Sequence, residues 1–289
     1  PMVGVPALED GVHTLAGHAI RVHVMAPPEE TPNTAPALLL HSTGMTAQQW
    51  RPLMKKLARE RLVVAPDLIG YGESSGFKGP GPFETKYDLA VVSELLQRLC
   101  EMRGPAHVIA HSYGGRLALL AALEHEDEFR SLSCFEPVLF GVLRSTFHEA
   151  ARAELEAANQ DGLFLDDTYG GSEAWLERFV DYWNGPGAWK EMAQPIADAF
   201  RRSARKIYEE VRETTLDETP HTELARLALP TLLISGREST VAGQAVCKTL
   251  SECMQNATLE QIDSGHMGPI FSRRAVNRLI EAFVAQHSG

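Results

Sequence analysis

Residues 106–120 read AHVIAHSYGGRLALL. AHVIA, 106–110, has the length and composition of a strand buried on both faces. The stretch 113–124 is rich in small and apolar residues and reads as a helix. Between them stands Ala110-His111-Ser112-Tyr113-Gly114, the small-x-Ser-x-small string of a nucleophile elbow. The spacing has a physical cause. A strand that turns directly into a helix strains the central residue, and bulky side chains two residues either side would clash. Ser112 Oγ then stands above the sheet at a helix N-terminus, where developing negative charge is stabilised.

Outward from this stretch, strands and helices alternate. GVHTLAGHAIRVHVM (11–25) reads as a hairpin with a glycine turn, and PPEETPNTAP (27–36) as a surface loop. ALLLH (37–41), LVVAPD (62–67) and SLSCFE (131–136) read as buried strands. Residues 46–59 and 84–102 carry leucines at helical spacing. The alternation stops near residue 138. STFHEAARAELEAANQ, SEAWLERFVDYWN and PIADAFRRSARKIYEEVRE read as helices, two of them separated by Gly185-Pro186-Gly187. Strands resume at TLLISG (231–236) and ATLEQI (257–262), with helices at 241–253 and 272–285.

Such alternation predicts an α/β fold, a mostly parallel sheet flanked by helices. It divides the chain into a core, 1–137 and 229–289, and a helical cap, 138–228, inserted after the sixth strand. The insert is expected over the carboxyl edge of the sheet, where open α/β sheets bind ligands. Trp175, Trp183 and Trp189 lie in it, and either pack its own small core or line an apolar pocket beneath it.

The composition sets limits. The chain has 289 residues, 44% hydrophobic and 22% charged, with a net charge of −11 from 27 basic and 38 acidic residues. That balance opposes phosphate backbones and anionic membranes, so no nucleic-acid or membrane partner is expected. No apolar run approaches the roughly 18 residues of a membrane span. PMVGVPALEDGV lacks the pattern of a signal peptide. Cys100, Cys134, Cys247 and Cys253 show no CxxC spacing and read as reduced thiols of a cytoplasmic protein. No cofactor string appears. His107 and His111 are four apart, but on a strand that spacing does not face one metal. Arg201, Arg202, Arg205 and Lys206 read as a solvated basic face, with anion recognition as the other option.

Two further strings bear on chemistry. Asp263-Ser264-Gly265-His266-Met267-Gly268-Pro269 follows the last predicted strand, so His266 can reach a serine on a neighbouring strand and act as general base. Leu40-His41-Ser42-Thr43-Gly44 ends the third strand. Its Thr43 N–H and the Tyr113 N–H are the expected oxyanion donors, while His41 orders the loop.

With LLLHSTGMTAQQW (38–50), APDLIGYGESSG (65–76), VIAHSYGGRLAL (108–119), LPTLLISGRES (229–239) and SGHMGPI (264–270), the chain resembles the α/β-hydrolase superfamily over nearly its whole length. The resemblance is to the subgroup with a helical cap between the sixth and seventh strands. It implies that Asp67-x-x-Gly70-x-Gly72-x-Ser74 is a structural turn. The chain departs from the family at Ser42, where a glycine is usual. It departs again at Ser239, three residues after Gly236, where many relatives place the triad Asp. A neutral hydroxyl cannot stabilise an imidazolium as a carboxylate does. Glu136, ending the sixth strand where haloalkane dehalogenases carry their acid, is the preferred substitute. An idle Glu at a buried strand end would carry a desolvation cost. Glu238 is the alternative.

The serine nucleophile implies an acyl-enzyme, and so a small-molecule ester, thioester or lactone as substrate. The alternatives are carbon–carbon hydrolysis of ring-cleavage products and a non-catalytic ligand-binding use of the fold. Substrate identity and oligomeric state stay open at this level.

Overall fold

A computed structural model describes residues 8–27 and 34–288. Most of the loop expected at 27–36, and the first seven residues of the stretch examined for a signal peptide, lie outside the described residues. Eight strands form one sheet: β1 (Gly11–Leu15), β2 (His18–Met25), β3 (Ala37–Leu40), β4 (Val63–Pro66), β5 (Ala106–His111), β6 (Phe129–Phe135), β7 (Thr231–Gly236) and β8 (Ala257–Ile262). Their order is β1-β2-β4-β3-β5-β6-β7-β8. The β1–β2 and β2–β4 pairs are antiparallel and the rest parallel. The expected hairpin turns at Ala16-Gly17, both with positive φ, as a two-residue turn between twisted strands requires.

The alternation of side chains along a strand explains the layers. Leu38 and Leu40 join a large apolar cluster with helices α2 (Thr85–Arg103) and α3 (Tyr113–His125). Ala37 and Leu39 face the other way, into a cluster with α1 (Arg51–Leu57) and α13 (Arg273–Gln286). The helix expected at 46–59 begins as a 3-10 turn, Ala47–Trp50, and becomes α-helical where Pro52 occupies the first turn.

Between β6 and β7 the described residues carry no strand. They form α4 (Gly141–Arg144), α5 (Glu149–Ala158), a 3-10 stretch at Gln160–Leu165, α6 (Glu173–Asn184), α7 (Ala188–Glu191), α8 (Gln194–Arg202), α9 (Ala204–Thr215) and α10 (His221–Leu224). The run from Pro195 to Glu213, read as one helix, is broken at Ser203, whose backbone leaves helical geometry. The segment has no separate core: Val142, Trp175, Phe200 and Ile207 share the cluster of Leu40 and Val108. The chain closes with α11 (Val241–Cys253), β8, the four-residue α12 (Gly268–Phe271) and α13. No helix among the described residues is long and apolar enough to cross a membrane.

Candidate active site

Strand β5 ends at His111, and Ser112 turns the chain into α3 with φ 54° and ψ −116°. Its own N–H is held by the Phe135 carbonyl at 3.0 Å. The small residues after it are required by close packing. A Cβ at Gly114 would sit 2.6 Å from the carbonyl oxygens of Leu40 and His41, and one at Gly115 2.8 Å from Pro137 Cβ.

Three strand ends converge here. Ser112 Oγ lies 3.0 Å from His266 Nε2, and His266 Nδ1 lies 2.6 Å from Glu136 Oε2. Glu136 stands one residue beyond β6, fully buried, with φ 40°. Its carboxylate also accepts from the Gly236 N–H at 2.8 Å and from Ser239 Oγ at 2.6 Å. With those donors on Glu136, the imidazole proton belongs on Nδ1, and Nε2 is free to accept from Ser112. Ser239, at the position where the resemblance led us to expect an acid, thus donates its hydroxyl to Glu136. The sequence gives no direct sign of that donor role. Glu238 is exposed, and its side chain is not brought to His266.

Two rings flank the imidazole. Trp183 stacks on it, centroids 3.8 Å apart at 23°. His111 bonds the His266 carbonyl through Nε2 at 2.9 Å. Burial pushes the His111 pKa well down, so it is the neutral ring that donates. Neither contact was expected. The helical spacing of SEAWLERFVDYWN shows an amphipathic helix but not which tryptophan meets His266.

The loop after β3 is ordered as its residues suggest. The Leu68 N–H donates to His41 Nε2 at 3.0 Å, which leaves Nδ1–H to donate to the Ser42 carbonyl at 2.8 Å. Burial lowers the His41 pKa and keeps this ring neutral. Ser42, in the usual glycine position, bonds Gln49 Oε1 through both N and Oγ, at 3.3 and 3.1 Å. Thr43 lies beside Ser112 in the wall of a cavity of about 430 Å³. Tyr113 opens α3, so its N–H has no acceptor within the helix. The Asp67–Ser74 turn is organised around Asp67. Asp67 accepts from Ala47 N at 2.9 Å, Ser74 Oγ donates to the Asp67 carbonyl at 2.6 Å, and a Cβ at Gly72 would lie 2.0 Å from Asp67 Oδ2.

Apart from Thr43 and Ser112, the cavity is lined by residues 138–216. Phe140, Phe179, Trp183 and Val211 make it apolar, while the exposed Arg144 and Arg152 stand in its wall. Of the three tryptophans, Trp175 stacks on Phe179 and is buried, Trp189 packs near Phe200, and Trp183 alone lines the cavity.

The expected basic face holds only in part. Arg201 pairs with Glu173 and Asp198 near the surface, and the exposed Arg205 pairs with the exposed Asp167 and with the buried Glu209. Lys206 is instead buried between Asp88 and Glu210, because α9 turns that face inward. Burial lowers the His107 pKa to about 3, and its Nδ1 bonds Ser131 Oγ at 2.7 Å. The four cysteines are free. Among the described residues no group of three or more His, Cys, Asp or Glu is placed to hold a metal ion.

A sequence profile of the alpha/beta hydrolase family matches residues 37–279. The chain belongs to that family. It is 27% identical over 266 residues to a 2-hydroxymuconate semialdehyde hydrolase of a Pseudomonas species, covering 87% of each chain. It is 25% identical over 238 residues to a pimeloyl-[acyl-carrier protein] methyl ester esterase of Chromobacterium violaceum, covering 81% of this chain and 88% of that one. Among solved structures, the enol-lactonase of Burkholderia xenovorans LB400 superposes with a TM-score of 0.71 at 18% identity, over 95% of this chain and 99% of that one.

Proposed function

We propose that the protein is a serine hydrolase that cleaves an ester-type small molecule, an ester, thioester or lactone, through an acyl-enzyme on Ser112. The observation that carries this reading is the continuous hydrogen-bonded line Ser112 Oγ–His266 Nε2, His266 Nδ1–Glu136 Oε2, at 3.0 and 2.6 Å. Ser112 Oγ attacks the acyl carbon as its proton passes to His266 Nε2. Glu136 stabilises the imidazolium and fixes its orientation. The Thr43 and Tyr113 N–H groups receive the oxyanion, a contribution worth about 10² to 10³ in turnover per donor in comparable sites. His266 then protonates the leaving group and afterwards takes a proton from the water that releases the acyl group.

In this reading residues 1–137 and 229–289 are the catalytic core and 138–228 a cap that shapes the pocket. The origin of almost all the cavity wall in residues 138–216 supports that division. The intact hydrogen-bonded trio speaks against a non-catalytic ligand-binding role. A second reading, hydrolysis of carbon–carbon bonds in ring-cleavage products, is favoured by the cationic Arg144 and Arg152 in the wall and by the name of the Pseudomonas relative. The apolar character of the wall favours the ester reading.

Turnover of a panel decides between them. Short p-nitrophenyl esters, thioesters and lactones should be hydrolysed, and Ser112→Ala should lose on the order of 10⁴ to 10⁶ in kcat. A panel in which only vinylogous diketones turn over would replace the first reading with the second.

A further inference from the structure

His111 and Ser112, successive residues at the end of β5, hold His266 at two places. Ser112 Oγ meets the imidazole at Nε2, 3.0 Å away. His111 Nε2 meets the backbone carbonyl of the same residue at 2.9 Å. A carbonyl only accepts, so the His111 proton stands on Nε2 and its Nδ1 is a bare acceptor. Both histidines are buried.

His266 lies four residues beyond β8, outside the ladder. The turns around it close on its neighbours. The Gly268 N–H donates to the Gly265 carbonyl at 3.1 Å and the Phe271 N–H to the Met267 carbonyl at 3.0 Å. The His266 carbonyl between them is taken by His111. The His111 ring is itself fixed, edge-on to Phe135, its register partner on β6, with centroids 5.6 Å apart at 82°.

Packing alone does not explain this ring. His111 Nδ1 is buried and finds no donor among the described residues. A buried acceptor left unpaired is destabilising, and a phenylalanine or leucine would pack beside Phe135 without it. Neither could supply the donor to His266. The ring also stays neutral, because burial and the nearby His266 push its pKa well down. It therefore places no second positive charge beside the imidazolium, whose ring centroid is 5.0 Å away.

We propose that His111 is a positioning residue for the general base: its Nε2–H anchors the His266 backbone and so holds the imidazole in line between Ser112 and Glu136. This rests on reading His266 as the base of Ser112. His111 is not among the described residues that line the cavity, so it acts on turnover through His266 and not on substrate binding.

The test uses the whole chain. His111→Phe keeps a ring and removes the donor, while His111→Gln returns an amide N–H at a similar reach. His111→Phe should lower kcat on an ester by about 10- to 100-fold, as small misplacements of catalytic groups do, with KM changed less than about threefold. Labelling of Ser112 by a fluorophosphonate should slow in step. The proton between His266 Nδ1 and Glu136 should give a far-downfield NMR resonance, identified by its loss in Glu136→Gln. That resonance should shift or broaden in His111→Phe, and His111→Gln should recover both it and most of the activity. In the wild type, nitrogen NMR of labelled histidines should show His111 as the neutral Nε2–H tautomer.

Unchanged kcat with an unmoved resonance in folded His111→Phe would overturn the inference, as would a change confined to KM or an Nδ1–H tautomer in the wild type. If His111→Phe does not fold, His111→Asn, whose amide is too short to reach the carbonyl, carries the same test. A wild-type chain that neither turns over esters nor is labelled at Ser112 overturns the functional reading, and this inference with it. A reactive wild type with indifferent His111 variants overturns the inference alone.

Discussion

At the carboxyl edge of the sheet, Ser112 and Glu136 stand one residue beyond β5 and β6, and His266 four beyond β8. Ladder register aligns those strand ends, and the loop after β8 carries His266 past β7 to Glu136. In the helical segment, Trp183 of α6 stacks on His266, Phe200 of α8 packs on Gly44, and Lys206 of α9 pairs with Asp88 of α2, with no ladder between them. The edge is built by periodic backbone pairing, and the segment by individual side-chain contacts. Substitutions at the edge should therefore stop the chemistry outright, while those in the segment should shift its rate.

The sharpest contrast lies between the two candidate acids. Glu136→Gln removes the carboxylate on His266 and should cost about 10³ to 10⁴ in kcat, while the exposed Glu238→Gln should change it less than twofold. Comparable small effects from both would mean that no carboxylate orients the imidazole.

Acid should act first on the sheet side. His41 at the end of β3 and His107 and His111 in β5 are buried, with pKa values below the ordinary 6.5. The unfolded chain binds protons near pH 6.5 that the folded chain refuses, so stability is full above that pH and falls as pH drops. For His107 the loss continues down to about pH 3. Each such histidine contributes a slope of about 1.4 kcal/mol per pH unit. Denaturant titrations at pH 7, 6 and 5 should show the slope, and His107→Asn should flatten it. Parallel slopes in the two proteins would show that His107 does not carry it.

The smallest effect belongs to Trp183. Trp183→Leu keeps an apolar wall but removes the stack on His266. We expect a loss of about tenfold in kcat, consistent with an aromatic contact of roughly 0.5–1.5 kcal/mol. A change confined to KM would make the ring a substrate contact only.

The same contrast explains what could be read in advance. Strand-end positions follow local rules: a buried apolar run, then a small-residue turn, then the functional side chain. Ser112, His266 and the preference for Glu136 over Glu238 followed from those rules together with the family resemblance. Ser239 was noted only as a missing carboxylate, because a donor to another residue's acid leaves no local pattern. Lys206 and Glu210 stand at i and i+4, the spacing of a solvated surface pair, and that spacing hid a cluster whose third member, Asp88, lies on α2. The break at Ser203, which separates α8 from α9, was likewise masked by continuous helix-forming residues on both sides.

A fluorophosphonate probe tests the central claim most directly, because it reports Ser112 activation without any choice of substrate. Peptide mapping by mass spectrometry should place the adduct on Ser112 in the wild-type chain. The adduct should form much more slowly in folded His266→Gln and Glu136→Gln, and not at all in Ser112→Ala. An unlabelled Ser112 in folded wild-type protein, or labelling at the same rate without His266, would contradict the account.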